Sequence, residues 1–424
     1  MNLLKDYKIL YNLTIIIIGF IRFWASIFSI LYFKLCCSKR KRIVIIGPVH
    51  SQHIQNFLLK IGEVTNKKKI NILLINSDPN SFTRSNQIAS IIIDTSIYKL
   101  LGNSVSKEVW IQRIFLNAEN SFNRLSIFFI KKIVFWFKPD HFWIHDLQTG
   151  GYLALSLFEV LKSLKVKTYA AVWGNDLFYF VDSQNHKRKL EVLLPKIDLL
   201  HIESARDIVI ANNLGFKGEY LPISNITLTD LDKFDKYKST SVSITKDIYI
   251  LLKGSYYLRS NMFPLLYDLG KNHRFWKNKK ILIVGPSIED TFHFDKVKNQ
   301  FGLQIQFLSN VPNHEYMNIL KRSKYHLSMN LSDGIPNSAL EAVYSDSIPV
   351  MSKFTGLYTS LSEGLKKVIF YDPSMECDFQ ILFEHLDKME INQRHILLHE
   401  LQGLFENVLY NDQIQESIAL KLLN

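Results

Sequence analysis

Asn330-Leu-Ser-Asp-Gly-Ile-Pro-Asn-Ser-Ala-Leu-Glu-Ala-Val-Tyr-Ser-Asp-Ser-Ile-Pro-Val350 lies between two short apolar runs, 325–329 and 348–351. Runs of that length fit buried strands, and the residues between them supply one turn and one helix. Asp333 and Gly334 fall in the turn, Asn337 or Ser338 is placed to cap the helix, and Glu341 follows about one turn inside it. Strand, helix, strand is the unit from which doubly wound α/β domains are built. The open N–H groups and positive dipole end of such a helix suit a diphosphate, and a carboxylate one turn along reaches ribose or sugar hydroxyls. Ser338-Ala-Leu-Glu341 also fits a capping box, in which Glu341 would only accept the Ser338 backbone N–H. Both readings stand at this point.

Outward from this stretch the same alternation continues. Behind it lie strands at 248–252, 281–284 and 305–308, with helices at 262–269 and 315–322; its own helix is expected at 338–344, and ahead lies a strand at 368–371. The first half of the chain repeats the pattern, with strands at 43–46, 70–75, 141–144, 168–172 and 199–202. Helices are expected at 53–61 and 152–164, and a long helical stretch runs from the second strand through Lys132. Between them 225–247 turns polar and reads as a linker. A chain of 424 residues exceeds one ordinary core. The expected architecture is therefore α/β: two tandem doubly wound Rossmann-like domains facing a central cleft, preceded by an N-terminal hydrophobic helix. The boundaries are 1–40 for the membrane-associated helix and basic segment, 41–225 for the first domain, 226–246 for the linker, 247–395 for the second domain and 396–424 for C-terminal helices.

A formal charge of +12 implies an anionic partner: a phosphorylated small molecule, an acidic membrane surface or nucleic acid. No zinc-finger spacing, aromatic-plus-basic single-strand signature or long basic helix is present, so nucleic acid is set aside. Three cysteines, Cys36, Cys37 and Cys377, build neither a disulfide framework nor a metal quartet, which fits a reducing compartment. The run 14–33 is apolar and about long enough to cross a bilayer apart from Arg22, and it is followed by Lys39-Arg-Lys-Arg42. Spanning and interfacial placements are both compatible with it. The basic cluster would sit on anionic headgroups and keep the remainder of the chain at the cytoplasmic face of the inner (plasma) membrane.

Several polar clusters fall where strands end. Gly47-Pro-Val-His50-Ser-Gln-His53 follows the first strand, lacks the glycine pattern of a phosphate cradle, and reads as a loop shaping an acceptor pocket. His145-Asp-Leu-Gln-Thr-Gly-Gly151 and Trp173-Gly-Asn-Asp176 leave the next strands; Gly174 allows close backbone approach, and Asp176 either orients a hydroxyl or caps a helix. Lys253-Gly254 and Arg259 open the second domain in the same fashion, with cations suited to diphosphate oxygens. Asp230-Leu-Asp232 falls in the polar linker rather than at a strand end, so no metal site and no cofactor are expected.

Ser332-Asp-Gly-Ile-Pro-Asn-Ser-Ala-Leu-Glu-Ala342 followed by Ile348-Pro-Val350 resembles the acidic-x7-acidic signature of the family 4 type glycosyltransferases with the GT-B fold, some of which build surface polysaccharides and lipopolysaccharide. His145 to Leu155, Trp173 to Leu177, Ser204-Ala-Arg-Asp207 with Gly215-Phe-Lys-Gly218, and Lys253-Gly254 with Arg259 support it, so that the likeness spans roughly 42–372. The resemblance implies a retaining, metal-independent, hexosyltransferase-like enzyme that moves a sugar from a nucleotide-diphosphate sugar to a lipid-linked or polysaccharide acceptor. Under it Glu341 binds ribose, Asp333 with the Gly334, Ile335 and Pro336 backbone holds the donor sugar, and Arg259 with Lys253 and Gly254 meets the diphosphate. His50, His145, Trp173, Gly174 and Asp176 line the acceptor side, with Asp333, Arg259 and Asp176 nearest the chemistry. The sequence departs from the signature at Asp333, where Glu is usual, at Ser255, where Arg is usual, and at Asp346, where glycine is common. A nucleotide-sugar epimerase of the same fold and a catalytically inactive sugar-nucleotide-binding scaffold of a polysaccharide assembly complex are the alternative readings.

Overall fold

The computed structural model describes residues 41–48, 51, 54, 56–58, 60–61, 70–76, 89–94, 121–226, 231, 245–254, 261–309, 311–373 and 377–423. They form two parallel sheets. The first runs β3-β2-β1-β4-β5-β6-β7, from β1 (Lys41–Gly47), β2 (Ile70–Asn76), β3 (Ala89–Asp94), β4 (His141–His145), β5 (Lys167–Ala171), β6 (Leu199–His201) and β7 (Glu219–Tyr220). The second runs β10-β9-β8-β11-β12-β13, from β8 (Ile248–Lys253), β9 (Ile281–Val284), β10 (Ile305–Leu308), β11 (Ser323–Ser328), β12 (Ile348–Ser352) and β13 (Phe370–Tyr371).

Helices of the first half are α1 (Ser121–Phe137), α2 (Gly150–Leu155), α3 (Phe158–Ser163), α4 (Gln184–Leu193) and α5 (Ala205–Asn213). Those of the second are α6 (Phe263–Lys271), α7 (His273–Trp276), α8 (Ile288–Phe301), α9 (Asn313–Lys321), α10 (Asn337–Tyr344), α11 (Glu363–Ile369) and α12 (Phe379–Lys388). The chain ends in α13 (Ile391–Leu404) and α14 (Asp412–Leu423).

Each sheet begins in its middle and grows first to one edge, then to the other. The reversal creates a switch point between β1 and β4 and another between β8 and β11, where loops at the carboxyl ends diverge and ligands bind in such folds. In β1, Ile43 to Ile46 are all fully buried, which is why the strand reads as an unbroken apolar run. Its residues alternate between two cores: Val44 and Ile46 face one layer, Ile43 and Ile45 the other. The second half closes around a single large core.

Two expectations change. Residues 89–94 form β3 inside the stretch read as helical, because Ile91-Ile-Ile93 is a β-branched run that pairs with β2. The expected helix at 152–164 breaks into α2 and α3 at Ser156 and Leu157. The C-terminal helices divide between the cores: α13 buries Leu397, Leu398 and Leu401 in the second core, whereas α14 crosses back and buries Ile418, Ala419, Leu422 and Leu423 beside Ile43, Ile45 and Phe57 of the first. Lys60 Nζ to Asp412 Oδ1 at 3.1 Å, and Lys41 to the Leu423 carbonyl, tie that return. The expected hydrophobic helix within 1–40 and most of the polar linker lie outside the described residues, and among the described residues no helix is long and apolar enough to cross a membrane.

Candidate functional site

Loops leaving β5, β6, β8, β9 and β11 meet in one cleft of about 650 Å3. The first half contributes Trp173, Gly174 and Glu203 to its lining; the second contributes Lys253, Gly254, Asp333, Gly334, Ile335, Asn337 and Ser338. A concave site at the carboxyl ends of two doubly wound sheets is where a ligand is expected in this architecture.

Helix α10 starts at Asn337, with Pro336 as its N-cap and no side-chain capping bond. Proline suits that place because it has no N–H to leave unsatisfied and its φ is already near −66°. The capping box inferred from Ser338 and Glu341 therefore does not form: with Pro336 at the cap, the third helical position is Ala339. The Asn337 side chain is held from outside, its Oδ1 accepting from Tyr410 Oη at 2.9 Å. Glu341 lies in the next turn, mostly buried, with Oε2 4.0 Å from Lys253 Nζ at the end of β8. The Lys253 ammonium also sits 5.1 Å from the Tyr316 ring, and burial, with the Glu341 charge second, pushes that phenol well above its ordinary pKa. Lys253 is half exposed, so this ion pair contributes little to stability and its cation remains accessible to an anion in the cleft.

Gly254 follows at once, and its backbone N–H donates to Val284 O at 2.6 Å. A Cβ there would overlap the Gly285 carbonyl, so the exits of β8 and β9 can touch only through glycine. Asp346, in the position where the signature commonly has glycine, adopts φ +57°, the left-handed region that favours glycine.

The Ser332–Gly334 loop is clamped to the first half. Ser332 Oγ donates to Asn175 Oδ1, Ser204 Oγ donates to Gly356 O at 3.2 Å, and Gly356 N donates to Asp333 O at 2.8 Å. Arg206, near the start of α5, stacks its guanidinium 3.9 Å from the Phe178 ring and pairs with Asp207 at 3.0 Å. Its other nitrogens donate to Ser332 O at 3.3 Å and to Phe354 O. Glu203 bridges both halves as well: Oε1 accepts from Ile226 N at 3.3 Å and Oε2 from Ile335 N at 3.4 Å. Burial pushes its carboxyl up to about 8; the two N–H bonds oppose this, while the charges of Asp333 and Asp207 add to it. It therefore holds a proton at neutral pH. Sequence reasoning gave neither Glu203 nor Arg206 a role; Arg206 stands in the Ser204-Ala-Arg-Asp207 segment of the resemblance, and for Glu203 the strand-end position beside Ser204 was the signal.

Of the residues singled out from the sequence, Trp173, Gly174, Asp333, Gly334, Ile335, Lys253 and Gly254 line the cleft, and Pro336 and Glu341 follow at the start of α10. Two others go elsewhere. His145, the last residue of β4, packs edge-on against Phe57 at 4.4 Å and is 2% exposed, in an aromatic layer beneath the cleft rather than on its wall. Asp176 is equally buried, and its Oδ2 accepts from Leu147 N and Trp173 N at 2.9 Å each; it ties together the loops leaving β4 and β5. Asp146 repeats that device with φ +67°, accepting from Thr149 N, Thr149 Oγ1 and Gly150 N, and burial lifts its carboxyl to about 6. His50 and Arg259 lie outside the described residues. Among the described residues, no group of three or more His, Cys, Asp or Glu could hold a metal ion.

No family model matches the chain, and no curated protein matches it. Solved structures do. HepE (Alr3699) of Anabaena, in complex with UDP and glucose, superposes with a TM-score of 0.62 at 10% identity, over 91% of this chain and 100% of that one. The lipopolysaccharide outer core galactosyltransferase WaaB, in its apo form, gives 0.56 at 12% over 90% and 100%. A protein assigned as a UDP-N-acetylglucosamine 2-epimerase in Listeria monocytogenes gives 0.53 at 10% over 91% and 96%. At such identities the likeness lies in the fold. The chain has the GT-B arrangement of two parallel-sheet α/β domains around a cleft.

Proposed function

We propose that the chain is a glycosyltransferase that moves a sugar from a nucleotide-diphosphate sugar to a lipid-linked or polysaccharide acceptor, with retention of anomeric configuration and without a metal. The observation that carries this reading is the opening of α10 into the cleft with Glu341 one turn inside it and Lys253 beside Glu341. The amino end of α10 and the Lys253 ammonium receive the diphosphate, and Glu341 accepts from the ribose hydroxyls. Asp333 and the Gly334–Ile335 backbone hold the donor sugar, and Trp173 and Gly174 face the acceptor. The fold shared with a protein whose structure holds UDP and glucose supports the donor class.

In the transfer, the acceptor oxygen bonds to the anomeric carbon on the face from which the diphosphate leaves. The carbon–oxygen bond to the β-phosphate breaks, and the acceptor proton passes to that phosphate oxygen. No protein nucleophile is needed. The contribution of the protein is positioning and stabilisation of the negative charge that develops on the leaving diphosphate. The apolar run 14–33 and Lys39-Arg-Lys-Arg42 support a position at the cytoplasmic membrane face, where a lipid-linked acceptor would lie.

A thermal-shift screen against UDP-sugars, followed by mass spectrometry of products formed on lipid extracts, tests the reading. A mass increase of one sugar on a lipid, dependent on the stabilising donor, is expected. The fold shared with the Listeria protein keeps an epimerase as the second reading, and an isomerised sugar released without any acceptor would select it. Donor binding without turnover on any acceptor would leave only a binding scaffold.

A further inference from the structure

Helix α1 has two faces, and the outer one is unusual. Ile130, Ile133, Val134 and Phe137 are buried in the first core, while Phe128, Phe135 and Trp136 stand 51%, 45% and 38% exposed. With Lys132 they fall at i, i+4, i+7 and i+8, a single stripe along the helix. Lys132 Nζ lies 5.4 Å from the Phe128 ring; Lys131 flanks the stripe, and Lys138 follows it where the helix ends at φ +50°. The helix contains no carboxylate. Asp140, just beyond, is occupied by the start of β1: Arg42 N donates to its Oδ2 at 2.8 Å and the Arg42 guanidinium lies 3.7 Å from its Oδ1. That pairing brings the chain immediately after Lys39-Arg40-Lys41 to the same corner of the molecule as Trp136 and Lys138.

We infer that α1 is a membrane-docking surface whose aromatic side chains enter the headgroup layer of an anionic bilayer while Lys131, Lys132 and Lys138 meet lipid phosphates. Aromatic rings favour that depth, and lysines around them gain from a negative surface. The charge pattern favours this occupant over the others. A second copy meeting α1 face to face would set its lysines against the same lysines. The first forty residues offer a single carboxylate, Asp6, against Lys5, Lys8, Arg22, Lys34, Lys39 and Arg40, so they bring almost no negative charge to meet Lys131, Lys132 and Lys138. The docking surface is independent of sugar transfer, because it is measured with neither donor nor acceptor.

The test uses the full chain with Cys36, Cys37 and Cys377 changed to Ser and an environment-sensitive fluorophore on Phe135→Cys, mixed with vesicles of phosphatidylcholine alone or with an equal part of phosphatidylglycerol. Emission at position 135 is expected to shift to the blue and brighten with the anionic vesicles only. Lys131→Glu with Lys132→Glu is expected to weaken that response roughly tenfold, with an unchanged unfolding midpoint. A label that stays water-exposed while the protein sediments with the vesicles would show that the N-terminal segment alone makes the contact, and would overturn the inference. A blue shift that depends on protein concentration and not on lipid would overturn it in favour of a second copy.

Discussion

Gly174 and Gly334 meet backbone to backbone where the two halves join. A Cβ at Gly174 would lie 2.5 Å from Gly334 N, 2.6 Å from Ser332 O and 2.8 Å from Asp333 Cα. A Cβ at Gly334 would in turn lie 2.7 Å from the Glu203 carboxylate. The loop expected to hold the donor sugar is thus seated on the acceptor-side turn with no room between them. Gly174→Ala should displace the Ser332–Gly334 loop, lowering transfer about 10- to 100-fold and stability by about 1–3 kcal/mol. Gly403→Ala, in α13 with its nearest contact at 3.8 Å, serves as the control and should leave activity unchanged. Steady-state kinetics with denaturant unfolding measure both, and unaltered transfer by Gly174→Ala would show that the contact is dispensable.

Glu341 is the residue for which the structure separates the two readings left open by the sequence. Freed from the capping box by Pro336, it faces Lys253 across 4.0 Å. Glu341→Gln should weaken UDP binding about tenfold, the effect of losing one charge-assisted hydrogen bond, and leave the fold intact. Arg259→Ala should act in the same direction, from the sequence expectation that its guanidinium meets the diphosphate. Calorimetry with UDP decides; wild-type affinity in both variants would remove the donor site from the amino end of α10.

Much of the fold was legible because strands buried on both faces advertise themselves: Ile43 to Ile46, Ile248 to Leu252 and Ile281 to Val284 are apolar at nearly every position. Strand β3 was not, since its three isoleucines stand in a long stretch whose other residues suggest no pairing partner. Strand β7 has two residues, too few for any period. Nothing in the helical period of α14 says which core it joins, and the answer depended on a crossing from the second half to the first. The same limit applied at the site. The Asp333 to Glu341 spacing is local and could be read, whereas Glu203 and Arg206 act on Ile335, Ser332 and Phe354, which are more than a hundred residues away in the chain. Asp176 and His145 show the converse, with polar residues at strand ends serving the scaffold.

Arg206 should be among the most costly side chains to remove outside the cores. Arg206→Ala deletes the bonds to Ser332 O and Phe354 O and leaves the Asp207 carboxylate, 1% exposed, without its guanidinium. A loss of about 3 kcal/mol is expected, the usual cost of breaking a buried pair from one side. Arg206→Lys should recover part of it, because the ammonium keeps the charge but lacks the fork that reaches two carbonyls. Chemical denaturation of the three proteins measures this, and equal stability of Arg206→Ala and wild type would show that the halves are held by other contacts.

Glu203 gives the pH dependence its sign. An acid whose pKa is about 8 when folded and near 4.5 otherwise holds its proton more tightly in the folded protein. Its contribution is therefore full below 4.5, fades as pH rises and is gone above about 8. Buried His201 works from the other side. Burial lowers its pKa from 6.5 to about 3, so its neutral form contributes above 6.5 and that contribution is lost as pH falls toward 3. Stability should then decline on both sides of mildly acidic pH, and Glu203→Gln should remove the alkaline decline alone, by about 1 kcal/mol or more at pH 8. Donor affinity follows the same limb. Above about 8 the ionised Glu203 joins Asp333 in a cleft meant for a diphosphate, so wild-type binding should weaken there and that of Glu203→Gln should not. Thermal unfolding and calorimetry between pH 5 and pH 9 test both limbs together; parallel profiles for the two proteins would mean that Glu203 titrates in its ordinary range.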